Sequence, residues 1–132
     1  MQLMKFQKKI IKKDKPVREG IVYWIRNKNN QILLKRREEN GLLPGMLEFP
    51  SYNWSKNKIN ENDKKILSIK NTKKLNKKVM HEFSHFKLIL TVYEKNKFNK
   101  NSIDGMWVGI EEINELGLPT LMKKVYQQVL ER

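Results

Sequence analysis

The alternation of apolar and polar residues predicts β-strands along most of the central chain. In residues 86–93, FKLILTVY, every second position carries a large apolar side chain, and β-branched and aromatic residues are frequent. Residues 19–37 contain two further apolar runs, interrupted at residues 27–31 by an Asn-rich stretch that suits the turn of a β-hairpin. Shorter strands are predicted at residues 46–49 and 105–110.

Helical spacing is clear only near the C-terminus. Four apolar residues recur there at intervals of one helical turn, and Pro119 suits the first turn of such a helix. These residues are Leu121, Met122, Val125 and Val129. Residues 55–78 contain nine Lys and two acidic residues, so that only Ile66, Leu67 and Ile69 could form the apolar face of a short helix. Strands of mixed direction with packed helices predict an α+β fold, arranged as an α/β/α sandwich.

The length and the cysteine content limit the possible classes of protein. The 132 residues suit one domain, which we predict over residues 17–132, after a basic linker at residues 1–16. The chain has no Cys, which excludes disulfides, iron–sulfur ligation and thiol catalysis by its own residues. No apolar run is long enough to cross a membrane, and the Lys-rich start does not resemble a signal peptide, so we expect a cytoplasmic protein.

The charge suggests a polyanionic partner. Lys and Arg number 28 against 14 acidic residues, which gives a net charge of +14. A positive field of this size attracts nucleic acid. The abundance of Lys, Asn and Ile is also expected of proteins encoded by AT-rich genomes, so a general basic nucleic-acid-binding module is one alternative.

Residues 81–85, HEFSH, match the H-E-x-x-H pattern of zinc proteases. In that pattern both His residues lie one turn apart on a helix, and the Glu acts as general base. Here the flanking residues favour two strands joined by a tight turn at residues 83–85, which removes the helical spacing of His81 and His85. We therefore predict no metal site, and we expect His81 to pack within the sheet.

Three segments, taken together, are similar to the C-terminal domain of MutY-type A/G-specific adenine DNA glycosylases. They are ILLKRREENGLLPGMLEFP at residues 32–50, HEFSHFKL at residues 81–88 and WVGIEEINELGLPTLMKKV at residues 107–125. With KPVREG at residues 15–20, the resemblance covers about residues 15–130. It implies a Nudix-like fold, with a mixed sheet and a C-terminal helix.

The resemblance implies a division of labour between two domains. In the family, an N-terminal domain with an iron–sulfur cluster excises adenine opposite 8-oxoguanine, and the C-terminal domain reads the 8-oxoguanine. The expectation for this chain alone is therefore no catalytic residue, no cofactor and no enzymatic activity, within a parent adenine glycosylase. The expected partners are double-stranded DNA containing 8-oxoguanine opposite adenine and the catalytic domain in cis, in a monomeric, nucleoid-associated bacterial protein.

The resemblance assigns lesion recognition to Phe83, Ser84 and His85. In 8-oxoguanine, N7 carries a hydrogen and C8 carries a carbonyl, whereas the N7 of guanine is an acceptor. A Ser hydroxyl can accept the new hydrogen bond, and a backbone N–H can donate to the new carbonyl. The alternatives stay open: Ser84 could serve only the turn, Phe83 could anchor the loop or stack on a base, and His85 could contact a phosphate or brace the loop. Further candidates for contacts with the DNA backbone are Arg36, Arg37, Lys87 and the lysines of residues 56–78.

A Nudix hydrolase acting on an oxidised nucleotide is the alternative from another class. Its G-x5-E-x7-R-E-U-x-E-E-x-G-U box (U, aliphatic) supplies carboxylates that bind Mg²⁺ at the phosphates. Residues 38–42, EENGL, match only part of this box, and the sequence that follows Glu48-Phe49-Pro50 is basic where acidic ligands are needed. Met46, Leu47, Phe49, Trp107 and the final helix are predicted to form core.

Overall fold

The strands form a mixed sheet that lies between two helices. A computed structural model describes residues 15–39, 41–55, 59–99 and 103–132. Its elements are β1 (Val17–Asn27), β2 (Gln31–Arg36), β3 (Leu47–Glu48), β4 (Ser51–Tyr52), α1 (Glu61–Leu67), β5 (Lys73–Lys74), β6 (Val79–Glu82), β7 (Lys87–Phe98), β8 (Met106–Gly109), a 3-10 helix (Ile110–Glu115) and α2 (Thr120–Glu131). Of the predicted linker, all but residues 15 and 16 lie outside the described residues.

The two long strands are parallel neighbours. β1 pairs with β7 in register from Val17 beside Lys87 to Ile25 beside Lys95, and the remaining strand pairs of the sheet are antiparallel. A parallel pair requires a long crossover connection, here residues 28–86. This pairing brings the start of β1 beside the turn that joins β6 to β7.

The core has two layers because successive residues of a strand point to opposite faces of the sheet. On β1, Val22 and Trp24 pack in the cluster that includes the buried face of α2. Tyr23 and Ile25 pack on the other side with Ile66 of α1. The arrangement is an α+β fold with a helix on each face of a mixed sheet, as predicted. Among the described residues, no helix is long and apolar enough to cross a membrane.

The local predictions largely agree with the structure. The hairpin turns at residues 28–30, the four apolar residues of α2 are all buried, and α1 is a short helix that begins with a capping box between Asn60 and Asp63. Of the predicted core residues, Phe49 is fully buried, whereas Met46, Leu47 and Trp107 are half-buried. β4, β5 and the 3-10 helix were not predicted, because segments of two to six residues carry too little periodicity.

Candidate functional site

The turn between β6 and β7 presents two polar side chains to solvent. The strands pair from Val79 opposite Leu90 to Glu82 opposite Lys87. Beyond that pair, the Phe83 N–H donates to the Phe86 carbonyl over 2.8 Å, which leaves Ser84 and His85 in the bend. Both are exposed. Their hydroxyl, imidazole and backbone groups can therefore reach a ligand.

A stack of aromatic rings packs beneath the exposed residues of this bend, on the side of the protein interior. The Phe83 ring stacks on Phe86, with 4.7 Å between centroids, and on Trp54, with 6.0 Å between centroids. The His81 ring meets Phe83 edge-on at 4.8 Å. Phe83 is half-buried in these contacts. Of its two interpretations, the geometry favours the loop anchor.

Two guanidinium groups close the ends of the stack. Arg18 lies 4.1 Å from the Phe86 centroid, and Arg37 lies 4.2 Å from the Trp54 ring. Arg18 also donates to the Trp54 carbonyl over 3.3 Å. Cation–π contacts of this kind add to the attraction between the rings. The bend therefore rests on five stacked groups, drawn from β1, the segments that follow β2 and β4, and the turn of the hairpin.

Trp54 lies in the stack between Phe83 and Arg37, where β1 leaves space for its ring. A Cβ atom on Gly20 would lie 2.8 Å from Trp54 Cδ1, closer than real Cβ contacts allow. The Trp54 indole N–H donates to the Ser51 hydroxyl over 2.9 Å. The backbone of β1 and a buried hydrogen bond thus determine where the Trp54 ring lies.

Arg37 was predicted to contact the DNA backbone, but the structure buries its side chain. Its guanidinium is completely buried, pairs with Glu48 at 2.8 Å and donates to the Leu42 carbonyl and the Ser55 hydroxyl. Burial raises the pKa of the Glu48 carboxyl, and the Arg37 guanidinium and Ser51 hydroxyl oppose that shift. A group enclosed in this way is not available to a DNA phosphate. Its role is to position Trp54.

The other predicted contacts lie on the surface. Lys87 begins β7 directly after the bend and is exposed. Arg36 ends β2, is also exposed and donates to the Gly45 carbonyl over 2.9 Å. The structure therefore places Lys87 with the Ser84–His85 bend and Arg36 at the edge formed by β2 and β3.

Sequence reasoning missed two lysines that contact the hairpin. Lys15 bonds to Glu82 at 2.6 Å and to the Phe83 carbonyl at 3.1 Å, and it lowers the pKa of the Glu82 carboxyl. The Lys87 N–H donates to the Pro16 carbonyl over 2.9 Å. Residues 15 and 16 are therefore docked against the domain. A lysine in a charge-rich segment carries no sequence signal for such a contact.

Lys124 of α2 is the second missed residue. Its ammonium lies 3.1 Å from His81 Nδ1 and donates to the Met80 carbonyl. Burial and this neighbouring cation lower the pKa of His81. Because an ammonium only donates, His81 Nδ1 accepts and the ring proton lies on Nε2.

The H-E-x-x-H residues do not form a zinc site in this structure. His81 lies in strand β6 and His85 lies in the bend, so the two are not one turn apart on a helix. Among the described residues, there is no group of three or more His, Cys, Asp or Glu that could hold a metal.

A second polar cluster lies between β2 and α1. The Lys35 ammonium lies 3.3 Å from Asp63 Oδ1 and 3.8 Å from Glu48 Oε2, over the face of Tyr52. The Tyr52 hydroxyl donates to Asp63 over 2.9 Å, and burial together with Asp63 raises the Tyr52 pKa. Glu48 Oε2 is buried and has no hydrogen-bond partner among the described residues. Lys35 and Arg37 together thus balance the charges of Asp63 and Glu48.

Comparison with known proteins identifies the fold. The NUDIX domain pattern matches residues 21–128. No curated protein sequence matches the chain. Among solved structures, the C-terminal domain of mouse MUTYH, crystallised with human PCNA, is 22% identical with a TM-score of 0.65, over 86% of this chain and 88% of that one.

Two MutT proteins are also similar. The MutT protein from Methanosarcina mazei Go1 is 21% identical with a TM-score of 0.63, over 90% of this chain and 96% of that one. The MutT protein of the Nudix hydrolase family from methicillin-resistant Staphylococcus aureus 252 is 27% identical with a TM-score of 0.54, over 89% of this chain and 99% of that one. The predicted Nudix-like fold is confirmed.

The expectation that this chain alone is not an enzyme is wrong. The structural neighbour from S. aureus, which is named as a Nudix hydrolase, is 27% identical over 89% of this chain and 99% of that one. This likeness points to an enzyme.

Proposed function

This chain belongs to the Nudix domain family, and on that premise we propose that it binds 8-oxoguanine at the Ser84–His85 bend. The observation that carries the proposal is an exposed hydroxyl on a two-residue bend that is held by the stack of Arg18, Phe86, Phe83, Trp54 and Arg37. A reader of base edges needs its polar groups fixed in place, because each ordered rotamer otherwise weakens binding.

The chemistry of the lesion matches the groups at the bend. Ser84 Oγ can accept from the N7–H that guanine lacks, and a backbone N–H of the bend can donate to the C8 carbonyl. Each such contact contributes discrimination of about 1–3 kcal/mol. His85 and Lys87 lie beside Ser84 and can contact an adjoining phosphate.

We place the lesion in duplex DNA opposite adenine, in line with the similarity to the mouse MUTYH C-terminal domain. The net charge of +14 supports a polyanionic ligand. Membership of the MutY branch and the presence of a glycosylase domain in cis are parts of this proposal.

The test compares three ligands at moderate salt: a duplex with 8-oxoguanine opposite adenine, the same duplex with guanine, and 8-oxo-dGTP. We expect the full chain to prefer the damaged duplex, and Ser84→Ala to reduce the preference by about fivefold to 150-fold. Thr120→Ala is the matched control, since Thr120 also carries an exposed hydroxyl and lies at the start of α2. Equal binding of the two duplexes would refute lesion reading in DNA.

Hydrolysis of an oxidised nucleotide is the second candidate, favoured by the 27% identity with the S. aureus MutT protein. Among the described residues, Glu48 pairs with Arg37 and Asp63 pairs with Lys35, and there is no group of three or more His, Cys, Asp or Glu that could hold a metal. Incubation of the chain with 8-oxo-dGTP and Mg²⁺ decides this candidate. If the unsubstituted chain releases the monophosphate and Ser84→Ala does not, the bend recognises the base of a free nucleotide and not a base in DNA.

A further inference from the structure

A lysine-lined cavity lies at the other end of β7 from the bend. It has a volume of about 570 Å³, with Lys65, Lys70, Lys95 and Lys97 around it and Ile69 and Phe98 among its lining. β7 contains 12 residues, so this cavity and the Ser84–His85 bend are separated by roughly 35 Å at about 3.3 Å per residue. A single nucleotide cannot occupy both sites.

The backbone is shaped to present Lys97 there. Between the pairs Ile25–Lys95 and Asn27–Phe98, β7 has one more residue than β1, which is a β-bulge. Lys97 has a φ of 54°, in the left-handed region that a Lys rarely adopts. Bulges redirect side chains, and unusual backbone conformations concentrate at functional sites.

The charges of three of these lysines are not neutralised by the described residues. The described lining contains no Asp or Glu, and Lys70, Lys95 and Lys97 form no ion pair with the described residues. The nearest acidic residue along β7, Glu94, is buried and pairs with Arg132. Ammonium groups that converge without a carboxylate favour a phosphate ligand.

A second cavity, of about 490 Å³, continues from the first. The two share Phe98 and Ile103, and the second is lined by Trp107 and by polar residues of the β1–β2 turn. The half-buried Trp107 ring stacks on Phe98, with 6.3 Å between centroids. Lysines beside a partly exposed indole combine the two elements that bind unpaired nucleotides: cations for the phosphates and a ring for a base.

We propose that this groove binds a single-stranded segment of nucleic acid, with phosphates at Lys70, Lys95 and Lys97 and one base against Trp107. The site is independent of the Ser84–His85 bend. It gives the domain a second contact with a polynucleotide.

Tryptophan fluorescence provides the test. Trp24 and Trp54 are 1% and 2% exposed, so quenching by a ligand reports on Trp107. Titration with an oligothymidylate of about twelve nucleotides is expected to quench the fluorescence of the full chain, and Trp107→Ala is expected to weaken binding by about fivefold to 150-fold. A strand that binds without quenching would overturn the proposal.

The lysines are tested by salt dependence. The double variant is Lys95→Gln/Lys97→Asn, because Asn tolerates the left-handed backbone at position 97. It should reduce the slope of log affinity against log salt concentration by about 1.4. The matched control Lys77→Gln/Lys123→Gln removes the same charge from exposed positions outside the groove. An equal reduction in both variants would mean that net charge alone binds the strand, and the groove would be rejected.

Three further ligands test whether the groove prefers a single strand of nucleic acid. Tripolyphosphate, a nucleoside triphosphate and a blunt duplex should each need a higher concentration than the strand to quench the Trp107 fluorescence, and equal or stronger quenching by any of them would refute a single-stranded ligand at the groove. Ser84→Ala should leave strand binding unchanged. If the unsubstituted chain binds the strand but shows no lesion preference, the proposed function alone is refuted, and a lesion preference without strand binding refutes the groove alone.

Discussion

The Phe83 ring stacks on the Trp54 indole, with 6.0 Å between the ring centroids and 21° between their planes. The two residues lie 29 positions apart in the sequence, and their contact couples the β6–β7 turn to the segment after β4. The Ser51 hydroxyl and the Gly20 backbone determine the position of Trp54, so the contact with Phe83 couples the bend to the sheet.

Removal of Trp54 should destabilise both the domain and the bend. Trp54→Ala deletes a side chain that is 2% exposed, and such deletions cost about 3–5 kcal/mol of unfolding free energy. Urea unfolding measures this cost, and amide exchange at Ser84 and His85 measures the loosening of the bend. Unchanged exchange at these two amides would show that the stack does not hold the bend.

The neighbours Arg36 and Arg37 should respond very differently to substitution. Arg37→Ala leaves the buried Glu48 carboxylate without its partner, which we expect to cost about 3–5 kcal/mol in unfolding free energy. Arg36→Ala removes an exposed side chain and should change the free energy by less than about 0.5 kcal/mol. Chemical denaturation of both variants measures the difference, and similar losses would contradict the buried pair.

Acid should release residue 15 from the hairpin. The hydrogen bond from Lys15 lowers the pKa of Glu82, so this pair stabilises the folded state above the ordinary Glu pKa. The contribution is lost as the pH falls through the lowered pKa, when Glu82 becomes protonated. NMR titration of Glu82 should show a higher pKa in Lys15→Met than in the control Lys78→Met. A Glu82 pKa that is the same in both variants would remove Lys15 as the cause.

His81 should remain neutral at a pH at which a free His begins to charge. Burial and Lys124 lower its pKa, so the unfolded chain binds this proton more readily than the folded chain does. Stability should therefore decrease as the pH falls through the ordinary His pKa, and level off below the lowered pKa. Lys124→Met should raise the His81 pKa in an NMR titration, whereas the adjacent Lys123→Met should not. A decrease in the Lys124 variant would reverse the assigned role of the ammonium.

The HEFSH segment shows how far local sequence reasoning reaches. The alternation in residues 86–93 was sufficient to predict a strand, and this alone excluded the helical zinc pattern. The exposed bend at Ser84 and His85 follows from the same register. The chemical environment of the segment does not, since Trp54, Lys15 and Lys124 reach it from three distant parts of the chain.

The sequence by itself determined the longer strands, the hairpins, the C-terminal helix and the excess of positive charge, because periodicity and composition are properties of neighbouring residues. Only the tertiary structure decided that Arg37 is buried while Arg36 is exposed, that Lys35 lies between two carboxylates, and that β1 and β7 are parallel neighbours. The physical reason is that the free energy of a charge or a ring depends on what surrounds it. In this fold those surroundings come from residues tens of positions away.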